Sequence, residues 1–528
     1  MVSPTSPRRP GGGLLTPGAA SLEQYTSAVS HQGPEQNDAR SLPKTTPTIS
    51  SEEKTTKSRT PSRQTSNTGV VTGLPLHNTT TTRSARDRAL ERTLTVSQQV
   101  KRSLKIRPTG ESGRSGVHPF HFFRIIFRSS SWISRIVNVL WPVVPAAIAV
   151  RYALPSQHTT IFILAYLAMV PCANLIGFAG QELSRKFAHV WGVLIETTLG
   201  SLVEIIMFIV LITREPHPGG VDYVQVIKAA ILGSVLATML LCLGLCFFAA
   251  GLKREETGFS EAVSEAGSGL LLTAGFGLAI PTVFHHSLNG RLPDEELLSK
   301  TMEISRSTAV LLMVAYLIYI FFQAQTHHGI YEAIFVEDEE RDDDRHKDHA
   351  RHRLTFTECC LALTVSIALV TIIAITLVDQ IHNLVVERHV SDAFVGLILV
   401  PLVEKAAEHL TAVDEAYDNQ MNFALSHVLG ATLQTALFNA PLVVIVGWGL
   451  GKPMGLNFEV FDLAVLLLAI LTVGNFLRDQ KSNYLEGALC VIVYVAIAVA
   501  ALYYPNPHHG PVDAAAAAAA AGSGGGHH

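Results

Sequence analysis

The feature that most constrains this chain is a series of apolar segments, each long enough to cross a membrane as a helix. A helix needs about 20 apolar residues to cross the hydrocarbon core, and there its backbone hydrogen bonds must be satisfied internally. We therefore predict an all-α polytopic membrane protein with about eleven transmembrane helices. They are expected at 133–153, 160–180, 190–213, 225–250, 264–284, 307–326, 360–379, 392–412, 422–448, 459–477 and 484–504.

The overall composition agrees with a chain that is partly solvated by lipid. Hydrophobic residues make up 48% of the 528 residues and charged residues only 16%, whereas about 25% charge is typical of soluble domains. This balance excludes a large soluble enzyme. The net charge of -4 gives no reason to expect a nucleic-acid partner.

The chain divides into polar ends, two apolar halves and a charged connection. Residues 1–130 are rich in Ser, Thr, Pro, Gly and Arg, which predicts a disordered N-terminal tail. The basic residues at the end of this tail, just before the first apolar segment, place it on the cytosolic side. We expect the first transmembrane helix and the first half within 131–326, and the second half within 359–505. Between them, 327–358 is predicted to be a charged cytosolic loop, and 506–528 is a low-complexity tail.

Among the ionisable residues inside predicted spanning helices, four lie in the segments 200–204 and 404–408. Glu204 falls in the third helix, and Glu404, Lys405 and Glu408 fall in the eighth. An acidic residue within the membrane costs at least ~3 kcal/mol on insertion scales, so such residues usually mark a transport pathway. These four are therefore the first candidates for function.

The two halves of the membrane part match each other. Glu204 aligns with Glu408, and Ser201 falls opposite Lys405. In the following helices Gly233, Leu236 and Thr238 align with Gly430, Leu433 and Thr435. Without the first helix each half has five helices, and an odd number per repeat places the two copies in opposite orientations. The sequence thus predicts one helix plus two inverted five-helix repeats, with a site near the midplane.

Several of these segments resemble a known transporter family. Gly177–Leu183, Gly200–Glu204, Leu232–Leu236, Ala406–Val413 and Leu429–Trp448 are similar to segments of the cation/proton exchanger (CAX) family, within the cation/Ca2+ exchanger superfamily. The resemblance covers about 160–505. It implies that Glu204 and Glu408 alternate between binding a cation and binding protons, with no catalytic residues and no cofactor.

The resemblance also implies a set of further oxygen ligands. The side chains of Ser234, Thr432 and Gln434, and the backbone near Gly200 and Gly233, are the expected helpers. A hard cation takes several oxygen ligands, and two carboxylates with hydroxyl, amide and carbonyl oxygens could supply them. The expected partners are therefore inorganic cations, protons and the lipid membrane.

Four residues depart from the family pattern and are expected to bear on selectivity: Ser201, Thr238, Glu404 and Lys405. The ammonium group of Lys405 would repel a dication at close range. Two interpretations remain open. Either Lys405 forms a structural ion pair with Glu404 and leaves Ca2+ at the other glutamates, or Lys405 occupies part of the site and leaves room for a monovalent ion.

The expected function is Ca2+/H+ exchange across the vacuolar membrane, driven by the proton gradient. The alternative is low-affinity exchange of Na+ or K+ for protons, because Val413–Gln420 and Gly474–Asp479 are similar to the fungal vacuolar branch that includes monovalent cation antiporters. A polytopic membrane enzyme is less favoured, because the sequence has no HExxH or G-x-S-x-G motif. A channel would be expected to show a selectivity filter or a charged ring.

Overall fold

The structure, a computed structural model, describes residues 116–128, 132–215, 221–343, 345–346 and 352–504. Most of the predicted tail 1–130 and the tail 506–528 lie outside the described residues. The helices are α1 (Pro119–Arg128), α2 (Trp132–Val137), α3 (Val143–Ala153), α4 (His158–Ser184), α5 (His189–Gly200), α6 (Leu202–Ile212), α7 (Tyr223–Leu236), α8 (Leu243–Gly251), α9 (Glu261–Leu288), α10 (Asp294–Phe321), α11 (His328–Arg341), α12 (Phe356–Val386), α13 (Asp392–Phe394), α14 (Val400–Glu404), α15 (Ala406–Tyr417), α16 (Met421–Gln434), α17 (Ala440–Gly449), α18 (Val460–Phe476) and α19 (Tyr484–Leu502). Two short strands, β1 (Thr257–Gly258) and β2 (Lys481–Ser482), pair antiparallel.

The predicted all-α polytopic architecture is confirmed. Among the described residues, ten helical stretches are long and apolar enough to cross a membrane. The eighth predicted helix is not among these ten. It is present as α13, a π-helical segment at Val395–Leu399, α14 and α15, and it contains the charged residues at 404, 405 and 408. Large apolar side chains such as Leu311, Leu468 and Ile492 are exposed on the outside of the bundle, where they would contact lipid.

The two repeats share their irregularities. The second helix of each repeat is interrupted at aligned positions, at Ser201 between α5 and α6 and at Lys405 between α14 and α15. The third helix of each repeat contains a π-helical segment, at Ala237–Cys242 and at Thr435–Asn439. Matching interruptions at matching positions are what two inverted copies of one fold would produce.

Two segments predicted to be unstructured contain helices. Part of the tail 1–130 forms α1, in which Phe122 and Ile125 are buried while Phe120, Phe123 and Phe127 are exposed. A short helix with several large apolar side chains and with arginines at 124 and 128 has the composition of helices that lie in the membrane interface. Part of the charged loop 327–358 forms α11. The many charged residues of this segment led to the prediction of a loop, although α11 has a buried face.

Ion pairs and capping hydrogen bonds attach α11 to the bundle. The two ring nitrogens of His189 lie 2.8 Å from Glu332 and 3.0 Å from Glu339. Burial disfavours the charged form of Glu332, but the hydrogen bond and charge of His189 outweigh it and lower the pKa of Glu332 to about 2. Asp338 accepts hydrogen bonds from the backbone N–H groups of Asn422 and Phe423 at 2.7 and 3.0 Å, so it caps α16 from another element. We call the side of the bundle on which α11 lies the loop face.

This cap gives the first prediction. In Asp338→Ala, the first N–H groups of α16 lose their acceptor, and charge-assisted hydrogen bonds of this kind contribute about 1.5–3 kcal/mol each. Hydrogen exchange of the backbone in 328–341 and 421–424 should then become roughly 10- to 100-fold faster. The control is Glu337→Ala on the same helix, whose side chain is largely exposed and pairs with Arg341 on the surface. Equal exchange in both variants would show that Asp338 does not fasten α11.

Candidate cation site

The interruptions of the second helices place two glutamates at helix N-termini in the centre of the bundle. Helix α6 begins at Leu202 with Glu204 in its first turn, and α15 begins at Ala406 with Glu408 in its first turn. The N-terminus of a helix carries a partial positive charge, which favours a negative side chain there. The sequence alignment of Glu204 with Glu408 therefore corresponds to equivalent positions in the two repeats.

Lys405 connects these two glutamates. Its Nζ atom lies 2.9 Å from Glu204 Oε2 and 3.1 Å from Glu408 Oε2. The Lys405 side chain is 1% exposed, that of Glu204 is 0% exposed and that of Glu408 is 16% exposed. One ammonium group thus bridges the carboxylates of both repeats, and the ammonium nitrogen and both carboxylate oxygens of Glu408 are buried.

The position of Lys405 bears on the two interpretations drawn from the sequence. The ion pairs that the structure gives to Lys405 are with Glu204 and Glu408, whereas Glu404 accepts no hydrogen bond from the described residues on either of its buried oxygens. A structural pair between Glu404 and Lys405 is therefore not formed. Lys405 instead lies between the two glutamates proposed to bind the cation.

Glu204 also accepts hydrogen bonds from two polar residues that were not predicted to be site residues. Thr435 Oγ1 and Asn439 Nδ2 donate hydrogen bonds to Glu204 Oε2 at 2.9 and 2.8 Å. Both residues belong to the π-helical segment of the second repeat. The signal that could have identified them is a polar residue within the largely apolar segment 422–448. Gln434, in the same segment, was expected from the family resemblance.

The other predicted ligands differ in whether their polar atoms already have hydrogen-bond partners. Gln434 Nε2 donates to Ser201 Oγ at 2.7 Å, which joins the two repeats beside the glutamates. The Oγ atom of Ser234 is buried and has no hydrogen-bond partner among the described residues. The hydroxyl groups of Thr432 and Thr238 donate to carbonyl oxygens one turn earlier in their own helices. Gln434 Oε1 and Ser234 Oγ therefore have no hydrogen-bond partner among the described residues. The hydroxyl group of Ser201, which accepts from Gln434 and donates to a backbone carbonyl, and those of the two threonines are already engaged.

Glycines allow the two repeats to approach each other at this level. A Cβ atom at Gly200 would overlap the carboxylate of Glu408. A Cβ atom at Gly233 would overlap the backbone carbonyl of Leu397 in the π-helical segment of the eighth helix. Space therefore requires glycine at position 233, where the overlap is with backbone, and a side chain at position 200 would displace the carboxylate of Glu408.

A cleft leads from Glu408 towards the loop face. It has an empty volume of about 430 Å³, including open space at its mouth, and its lining includes Gly200, Thr238, Glu408, Thr411 and His427. The cleft ends against the Glu408 side chain, whose two carboxylate oxygens are buried. The cleft therefore reaches one of the two bridged glutamates, Glu408, whereas Glu204 and Lys405 are not part of its lining.

Comparisons with known proteins cover most of the membrane part of the chain. The sodium/calcium exchanger protein family matches residues 157–325 and 360–503. The chain is 32% identical over 349 residues to a vacuolar calcium ion transporter of Schizosaccharomyces pombe, covering 66% of this chain and 80% of that protein. It is 30% identical to a Ca2+/H+ antiporter of Synechocystis, covering 71% of this chain and 98% of that protein.

A solved structure supports the fold. The native YfkE structure aligns with a TM-score of 0.55 and 24% identity, covering 69% of this chain and all of that chain. Both halves of the membrane part, and the glutamates that face each other between them, lie within the matched segments. The chain belongs to the sodium/calcium exchanger protein family.

Proposed function

We propose that the protein is a cation/proton antiporter of the vacuolar membrane that exchanges Ca2+ for protons. The observation that carries the proposal is the meeting of two buried carboxylates, Glu204 and Glu408, around a single cationic group at the end of an open cleft. Relatives named vacuolar calcium ion transporter, in Schizosaccharomyces pombe, and vacuolar cation/proton exchanger 2, in Arabidopsis thaliana, support the substrate and the membrane.

Exchange follows from competition for the same oxygen atoms. A carboxylate can bind a cation or a proton, and a group that must be neutralised in the membrane carries one of the two at each stage. The oxygens of Glu204 and Glu408, with those of Gln434 and Ser234 nearby, offer the hard ligands that Ca2+ prefers. When Ca2+ leaves, protons replace it on the carboxylates, so no separate proton pathway is needed.

Neutralising either carboxylate should stop this exchange. In proteoliposomes with an imposed pH gradient, Ca2+ uptake by Glu204→Gln or Glu408→Gln should fall on the order of 100-fold or more. A unit charge lost at contact distance from a dication corresponds to several kcal/mol even at an effective dielectric constant near 20. The matched control is Glu303→Gln, an exposed glutamate of α10 in a spanning segment, which should transport normally. Uptake that continues without the gradient, or with both carboxylates neutralised, would rule out the proposal.

The bridging ammonium group supports a second candidate, the exchange of Na+ or K+ for protons. With Lys405 charged, two ionised glutamates keep one uncompensated negative charge, which suits a monovalent ion. A dication would instead require Glu404 to be ionised as well, or Lys405 to move away. The selectivity therefore depends on this lysine and on the charge of its neighbour.

Replacing Lys405 separates the two candidates. In Lys405→Asn, the loss of the ammonium group should raise the ratio of Ca2+/H+ exchange to Na+/H+ or K+/H+ exchange, by roughly tenfold or more, because repulsion of the dication is removed. Lys405→Arg keeps the charge and serves as the control. The assay is initial uptake of Ca2+, Na+ and K+ under the same pH gradient. An unchanged ratio in Lys405→Asn would exclude Lys405 as the selectivity element.

A further inference from the structure

The mouth of the cleft contains a second group of ionisable side chains, which the proposed exchange does not use. The imidazole of His427 lies between two carboxylates, with Nδ1 2.7 Å from Glu415 Oε2 and Nε2 3.6 Å from Glu196 Oε2. The three residues come from α16, α15 and α5, so both repeats contribute. We call them the outer cluster.

The spacing within the outer cluster fits a metal ion. One ligand atom from each of the three residues lies within 4.8 Å of the others. Ligand atoms bound about 2.1–2.3 Å from one ion lie at most about 4.5 Å apart, so a small contraction suffices. His427 Nε2 is buried and makes no hydrogen bond with the described residues. That nitrogen is directed towards Glu196 and is available as a ligand.

The charges around the outer cluster favour a cation. Glu196 and Glu415 are 15% and 12% exposed, so they are mostly dehydrated but still accessible. The charged and ionisable groups that act on them and on His427 are Arg185 from beyond the end of α4, Glu408 from α15 and Cys242 from the π-helical segment of the first repeat. Ser184 donates a hydrogen bond to Glu196 at 3.0 Å. A cation there would lower the cost of holding two carboxylates close together.

We propose that Glu196, Glu415 and His427 form a second, outer binding site for a divalent transition-metal ion such as Mn2+. One imidazole nitrogen with two carboxylate oxygens is a donor set for borderline divalent ions, whereas Ca2+ prefers oxygen ligands alone. Glu196 and His427 line the same cleft as Glu408, with Thr411 and the buried His409 along its wall, and Glu415 lines a neighbouring cavity that shares Thr411. His409 Nε2 also lacks a hydrogen-bond partner among the described residues, so polar groups extend inwards from the outer site.

Equilibrium binding tests the outer site independently of transport. The protein is purified with Glu408→Gln, which disables the inner site, and Mn2+ is titrated while the electron paramagnetic resonance signal of free Mn2+ is recorded. We expect one Mn2+ bound per chain. A further His427→Gln or Glu415→Gln substitution should weaken this binding at least about tenfold, since even indirect support of a metal ligand contributes 10- to 100-fold.

The chain offers a matched control for the histidine. His189 also lies between two carboxylates, those of Glu332 and Glu339, but both of its ring nitrogens make short contacts with them and it lies outside the cleft. His189→Gln should leave Mn2+ binding unchanged. Binding that is insensitive to His427→Gln and Glu415→Gln, or no binding with Glu408→Gln, would overturn the outer site.

A spectroscopic measurement does not require the His427→Gln variant to fold. Pulsed electron paramagnetic resonance of bound Mn2+ in the Glu408→Gln protein should show coupling to an imidazole nitrogen. Bound Mn2+ without nitrogen coupling would exclude His427 as a ligand and overturn the proposal. Because no gradient is applied, either result is independent of whether the protein exchanges Ca2+ for protons.

Discussion

The ion pairs of Lys405 with Glu204 and Glu408 are the interaction on which the centre of the structure depends. Three charged groups are held inside a membrane bundle, where an isolated charge costs several kcal/mol. Each group is tolerable only while the others stay in contact with it. The helices that contribute them must therefore be held in register, and the surrounding structure does this with hydrogen bonds to Glu204 and with glycines at the closest approach.

The interrupted helices are part of the same solution. In a continuous helix at Ser201 or Lys405, the backbone N–H and C=O groups would hydrogen-bond to each other within the helix, and only side chains would face the centre. Beginning a new helix at these positions turns free N–H groups and a partial positive charge towards Glu204 and Glu408. The interruption therefore reduces the cost of burying the two carboxylates at the centre of the bundle.

Much of this arrangement could be predicted from the sequence, because the cost of charge in lipid makes rare residues conspicuous. The eleven spanning segments, the two glutamates and their repeat relationship follow from apolar length and from a few polar residues. Of the two partners of Lys405, only Glu408 could be predicted from spacing along a helix, because it lies three residues further on. Only the packing of the opposite repeat brings Glu204 within reach.

Other parts were missed for different physical reasons. Asn439 and Thr435 face Glu204 because a π-helical segment turns them inwards, and the sequence does not mark where a helix changes its period. Helix α11 was predicted as part of a loop because its charges resemble a solvated segment. Its ion pairs with His189 and its cap on α16 depend on residues distant in the chain.

The same arrangement of a protein cation between two carboxylates recurs from the centre of the bundle to its surface. Lys405 holds it at the centre, His427 in the cleft and His189 at the loop face. The cost of an unpaired carboxylate rises inwards with dehydration. A lysine stands where that cost is greatest, and histidines stand nearer the surface, where water can partly replace the pairing. The inner position therefore limits which cation can compete, whereas the outer positions can be vacated at lower cost.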